Sequence, residues 1–144
     1  MRDIEFRGKR TANGEWVYGY IAEATICGTN GSRIETMIYQ KPERTYDEIR
    51  WIVDPKTVGQ YTGLMDANGT KIFEGDIVLA PYIDPIFKST WKDASPCEPA
   101  TVKYDDGMFY VEYIESGDKF TLRTLDGYTE VTGNIYDNPE LFRR

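Results

Sequence analysis

The chain has 144 residues, 40% hydrophobic and 14% aromatic, with 17 Lys and Arg against 24 Asp and Glu for a formal net charge of −7. That length fits one domain whose core needs neither disulfide nor metal, and the aromatic content excludes a disordered chain and favours strands over helices. The absence of histidine excludes Ser-His-Asp and Cys-His nucleophiles and the common His-based metal sites, and the negative balance opposes a generic nucleic-acid binder, which would need a segregated basic face.

In chain order, "MRDIEFRGKR" has no apolar core of the kind a signal peptide requires, and no run approaches the roughly 18 apolar residues of a membrane span. A soluble, cytoplasmic protein is expected. The opening stretch carries a basic group, Arg7, Lys9 and Arg10. Asn13-Gly14 is the first of five tight-turn dipeptides, with Asn30-Gly31, Asn68-Gly69, Asp106-Gly107 and Asp126-Gly127 following. Asn-Gly and Asp-Gly meet the positive φ demanded by type I′ turns at least steric cost, so most of these predict hairpin tips.

Between the first two turns, "EWVYGYI" alternates. Trp16, Tyr18 and Tyr20 take one face, and Val17, Gly19 and Ile21 the other. Period-2 patterns of this kind predict strands with one buried side. "RIETMIYQ" reads as the next strand. "TYDEIRWIV" predicts a helix of one or two turns opened by a capping box, Thr45 to Glu48.

"GQYTGLMDANGTKIFEGDIVLA", Gly59 to Ala80, concentrates glycines and acids. Asp66 is expected to bond turn amides. Glu74-Gly75-Asp76 is expected to turn a corner, with the carboxylate accepting backbone N–H bonds. The segment lacks the ligand spacing of an EF-hand and the glycine spacing of a phosphate loop.

The stretch from 81 to 100 holds four of the seven prolines. A Pro-punctuated connection of that length is often functional. Its rings, Tyr82, Phe87 and Trp91, make a contact patch if exposed, or cover the fold if turned inward. Further on, "MFYVEYIE" places Phe109, Val111 and Tyr113 on one face, with Met108, Tyr110, Glu112 and Ile114 opposite. "KFTLRTL" is another strand. "DNPELF" predicts a short terminal helix with Asn138 as N-cap and Pro139 at its first position. Cys27 and Cys97 stand outside any Cys-x-x-Cys pair. Two reduced thiols are the simplest reading, and a single disulfide stays open.

"FRGKR", "GEWVYGY", "DPKTVGQYTGLMDANGTKIFEGDIV" and "GNIYDNPEL" together resemble the YopX family, proteins of bacteriophages, prophages and related mobile elements. The resemblance spans Phe6 to Leu141 and is most specific from Thr57 to Val78. The segments from Ala22 to Val53 and from Leu79 to Ala100 carry no family motif. The resemblance implies a mostly-β fold, a small SH3-like β-barrel with an N-terminal β-rich portion packed on it and few short helices. It also implies a phage or prophage gene in a bacterium. It carries over no reaction and no catalytic residues.

The expected organisation is a single domain over residues 1–144, with 1–56 as the N-terminal β-rich portion, 57–144 as the barrel portion and the Pro-rich loop at 81–100. The expected function is a non-enzymatic protein-binding or regulatory module that meets a host or phage protein. Its contact residues would be Tyr82, Phe87 and Trp91, with Arg7, Lys9 and Arg10 as the second choice. No catalytic, cofactor or metal residues are expected. A homo-oligomer is one way to cover sheet edges. Two other classes compete. One is a metal-dependent enzyme using Asp66, Glu74, Asp76, Asp105 and Asp106. The other is a weak nucleic-acid binder working through the basic N-terminal patch. Tyrosine-rich faces have the chemistry to stack nucleobases, and inward-facing tyrosines in a small core would use the same residues.

Overall fold

The computed structural model describes residues 4–40, 49–82 and 97–142. The fold is mostly β, built from two antiparallel sheets. By contact density the chain divides into two compact units, Met1–Tyr61 and Thr62–Arg144.

The first sheet contains β1 (Phe6–Lys9), β2 (Trp16–Gly28), β3 (Gly31–Gln40), β4 (Ile49–Ile52), β5 (Gly59–Met65) and β6 (Lys71–Phe73), in the order β4-β3-β2-β1-β5-β6. β1 pairs with Trp16–Gly19 of β2 on one side and with Gly59 and Gln60 of β5 on the other. The alternation of "EWVYGYI" decides what is buried. Val17, Ile38 and Val53 form the core of the first unit, with Phe6, Trp51 and Val58 packed against it. Gly8 lets strands close over that core, because a Cβ there would lie 3.2 Å from both Ile38 and Val53. Gly19 is tighter still. Its Cβ would stand 2.3 Å from the Tyr39 carbonyl oxygen, so only glycine fits. Between β4 and β5 Asp54 and Pro55 open a 3-10 turn, Pro55–Thr57, whose Lys56 N–H donates to the Asp54 carboxylate at 3.0 Å.

β2 and β3 stay paired from Tyr20↔Tyr39 to Gly28↔Gly31. The core does not follow them. Ile38 is fully buried, whereas Ile34 on the same strand is 70% exposed. The outer half of the hairpin is therefore an arm whose two strands are held by their own ladder of backbone bonds.

The second sheet contains β7 (Asp76–Pro81), β8 (Cys97–Asp105), β9 (Met108–Tyr113), β10 (Lys119–Thr121) and β11 (Glu130–Asn134), in the order β10-β9-β8-β7-β11. Four strands meander, and β11 returns to pair with β7 across a bulge between Val131 and Gly133. Phe109, Val111 and Tyr113 of β9 point inward as their alternation predicts. They join Ile72, Val78, Ala80, Ala100, Val102, Leu122 and Leu125 in one buried cluster. "GNIYDNPEL" is a folded corner. Asn134 Oδ1 accepts the N–H groups of Tyr136 (3.0 Å) and Asp137 (2.8 Å), and its own N–H donates to Asn138 Oδ1 at 3.2 Å.

Four expectations need correction. Among the described residues the second sheet is open rather than a closed barrel: β10 and β11 are its two ends. The chain after the three-residue β10 turns into a 3-10 turn, Leu122–Leu125, which spends Leu122 and Leu125 on plugging the core instead of extending the ladder. The predicted helix at "TYDEIRWIV" is in its second half strand β4, where Ile49, Trp51 and Ile52 pair with β3. Thr45–Glu48 lie outside the described residues. The third correction concerns the turns. Four of the five dipeptides do join neighbouring strands, but only Asp106-Gly107 has both residues at positive φ, 52° and 78°. Last, the terminal helix Pro139–Phe142 exists, yet the Asn138 carboxamide oxygen turns back to Asn134 instead of capping it. Cys27 and Cys97 are both free and exposed.

Candidate functional site

In the acid-rich corner, Asp66 and Asp76 face the main chain. Asp66 is 6% exposed. Its Oδ1 accepts the N–H groups of Asn68 and Thr70, both at 2.9 Å, and its Oδ2 accepts that of Val131 at 2.9 Å. Burial pushes its carboxyl up, but the three amides of Val131, Thr70 and Asn68 outweigh it and hold the group below the usual carboxylate range. Asp76, 2% exposed, accepts the Phe73 N–H at 2.8 Å. Both side chains therefore serve as acceptors for main-chain N–H groups. Asp66 ties the β5–β6 connection to β11, 65 positions away. Asp105 and Asp106 are exposed beside an open cavity of about 290 Å³, which Met108, Tyr110, Lys119, Phe120 and Thr121 also line. Among the described residues, no three His, Cys, Asp or Glu side chains gather as a metal ion requires.

The root of the Pro-rich segment is built from tyrosines. Pro81 and Cys97 pair at the ends of β7 and β8. The Tyr113 hydroxyl, on a ring 1% exposed, donates to the Pro81 carbonyl. Burial first, then the nearby Glu98, Cys97, Tyr82 and Asp118, pushes its phenol well above the ordinary tyrosine range. Tyr82 packs edge-on to Tyr113 with ring centroids 5.3 Å apart, and its hydroxyl donates to Asp118 at 2.6 Å. Tyr82 thus fastens the segment where it leaves the sheet. Phe87 and Trp91 lie outside the described residues.

The basic N-terminal group divides by strand alternation. Arg7 and Lys9 share a face of β1, with the Arg7 guanidinium 4.7 Å and the Lys9 ammonium 5.7 Å from the centre of the Trp16 ring. Arg7 is 6% exposed. Arg10 falls on the opposite side in register and lies 3.9 Å from Glu15.

That same face of the first sheet carries a group that no single segment of the sequence brings together. Arg50, Tyr39 and Tyr20 are direct cross-strand neighbours on β4, β3 and β2. Tyr18 opposes Arg7, and Trp16 opposes Lys9, in the rows beside them. The Tyr20 and Tyr39 rings lie 5.6 Å apart, and Tyr20 is 52% and Tyr18 40% exposed. The alternation of "EWVYGYI" signals the β2 part. Tyr39 and Arg50 join it only through the register set by the Asn30-Gly31 tip and the β3–β4 pairing.

No curated protein matches this chain. Two solved structures resemble it in fold. Protein EF1440 from Enterococcus faecalis is 24% identical with a TM-score of 0.54, over 99% of this chain and 100% of that one. Protein yopX from Bacillus subtilis is 20% identical with a TM-score of 0.52, over 100% of this chain and 98% of that one. The family model described as YopX protein matches residues 5–143, and the chain belongs to the YopX family.

Proposed function

We propose that this chain is a non-enzymatic protein-binding or regulatory module, encoded by a bacteriophage or prophage and working in the cytoplasm of its bacterial host. The observation that carries this reading is the commitment of Asp66 and Asp76 to main-chain amides. With Asp66 and Asp76 held by main-chain amides, recognition is the economical use of the fold. No helix among the described residues is long and apolar enough to cross a membrane. A four-strand meander, a 3-10 turn and a fifth strand returning to the first support reading the second unit as an opened relative of the small SH3-like barrel, a scaffold that binds through loops and aromatic grooves.

The partner protein meets the segment from 81 to 100. Phe87 and Trp91 supply the contact, Tyr82 holds the segment's root, and Arg7, Lys9 and Arg10 form the second choice of surface. The test has two parts. Calorimetric titration with Mg²⁺, Mn²⁺ and Ca²⁺ is expected to give no specific heat; stoichiometric binding by Asp105 and Asp106 would favour the enzyme reading instead. Pull-downs from host lysate with the wild type and with a Phe87→Ala/Trp91→Ala variant should differ by at least one specific partner, and identical profiles would remove the loop assignment.

A further inference from the structure

The paired rows of rings and cations on the first sheet differ from an ordinary solvated face. A strand pair brings opposing side chains within about 5.5 Å, so the Arg50–Tyr39–Tyr20 row is one continuous strip. Tyr18 continues it along β2, with Lys9 and Trp16 on the next row but one. Rings left open to solvent on a sheet face, as Tyr18 and Tyr20 are and as half-buried Tyr39 is in part, are platforms for planar groups. The cations interleaved with them supply positive potential where a chain of phosphates would run. Further out on the same face of β3, where Glu35 opposes Ala24, the Glu35 carboxylate is held by Arg33 at 2.7 Å.

The net charge does not oppose this. Residues 1–61 carry nine Lys and Arg against nine Asp and Glu, whereas residues 62–144 carry eight against fifteen. The whole excess of negative charge belongs to the second unit, and the unit with the aromatic face is neutral.

We infer that this face binds single-stranded nucleic acid, stacking bases on Tyr18, Tyr20 and Tyr39 while Lys9 and Arg50 attract the backbone. A duplex is excluded from the same mode, because its bases are already stacked and cannot lie on the rings. The surface is distinct from the Pro-rich segment, so the inference goes beyond the protein-binding reading and does not depend on it.

The experiment is fluorescence anisotropy of a labelled oligothymidylate of about 12 nucleotides, with a duplex of equal length as control, titrated at stepped KCl concentrations. Wild type should bind the single strand in preference to the duplex. Two phosphate contacts give a slope of log affinity against log salt of about −1.4. Tyr20→Ala should weaken binding about tenfold or more, and Tyr20→Phe, which keeps the ring, should restore it. Arg50→Gln should roughly halve the salt slope. Tyr104→Ala, an exposed ring of the second unit, should change nothing. Circular dichroism confirms that each variant is folded before it is scored. No anisotropy change at low salt, equal binding of the duplex, or an unaltered affinity for Tyr20→Ala would each overturn the inference.

Discussion

The two units differ in what their most conspicuous polar and aromatic residues do. In the second, polarity is turned inward: Asp66, Asp76 and Asn134 are buried and spend their oxygens on backbone amides, and Tyr113 hides its hydroxyl against Pro81. In the first, Tyr18 and Tyr20 stand in solvent on a sheet whose buried cluster, among the described residues, is Val17, Ile38 and Val53. The difference teaches that residue type alone does not mark a site. An aspartate in a turn-rich motif is architecture when main-chain donors surround it, and a tyrosine on a strand is available only when its alternation puts it outside.

The largest test of that contrast is Asp66→Ala. Three backbone donors lose their acceptor together, and a cost of about 3–5 kcal/mol is expected in chemical denaturation. The same carboxylate sets a pH dependence. Its folded pKa lies below the ordinary value of 3.8, so its stabilisation is complete above that value and is lost as pH falls through the folded pKa. Wild type should therefore lose stability in that acid range more steeply than Asp66→Asn, measured by melting temperature at stepped pH. A melting curve for Asp66→Ala that matched wild type would erase the distinction between the units.

Gly19→Ala comes next. A methyl group 2.3 Å from the Tyr39 carbonyl must push β2 and β3 apart, costing about 1–3 kcal/mol. Hydrogen exchange should register the loss in strands β2 and β3 before the second sheet. Tyr113→Phe sharpens the comparison from the other side. It removes the donor to the Pro81 carbonyl while leaving the ring, and should cost about 1 kcal/mol by denaturant titration. The smallest effect belongs to Tyr20→Ala. Its ring is half in water, so stability should shift by no more than about 0.5 kcal/mol. A large loss there would mean that the ring is packing material and not a surface.

Much of the framework could be read along the chain because it is local. Strand alternation in "EWVYGYI" and "MFYVEYIE" sorts inside from outside, and four glycine turns mark where strands reverse. Asp66 was legible as a turn acceptor for Asn68 and Thr70, but its bond to Val131 was not, since nothing near residue 66 announces β11. Asn138 has the spelling of a helix cap. Its oxygen is claimed instead by Asn134, and Gly133 leaves room for it: a Cβ there would sit 2.4 Å from that oxygen. "TYDEIRWIV" shows the same limit. An isolated Ile-Arg-Trp-Ile is ambiguous between helix and strand, and the exposed ladder of β3 decides for strand. The aromatic strip was half visible, because Tyr20 advertises its face while its neighbours Tyr39 and Arg50 depend on pairing register.

The return of β11 to β7 has a consequence for how the protein is made. During synthesis, residues 76–113 leave the ribosome with three strands ready to zip, yet the outer rim of β7 and the Asp66 carboxylate must wait for residues 130–134. Until then the nascent chain carries a naked strand border and a charge lacking one of its three donors. Nucleation can start early, but locking comes last, when Val131 arrives.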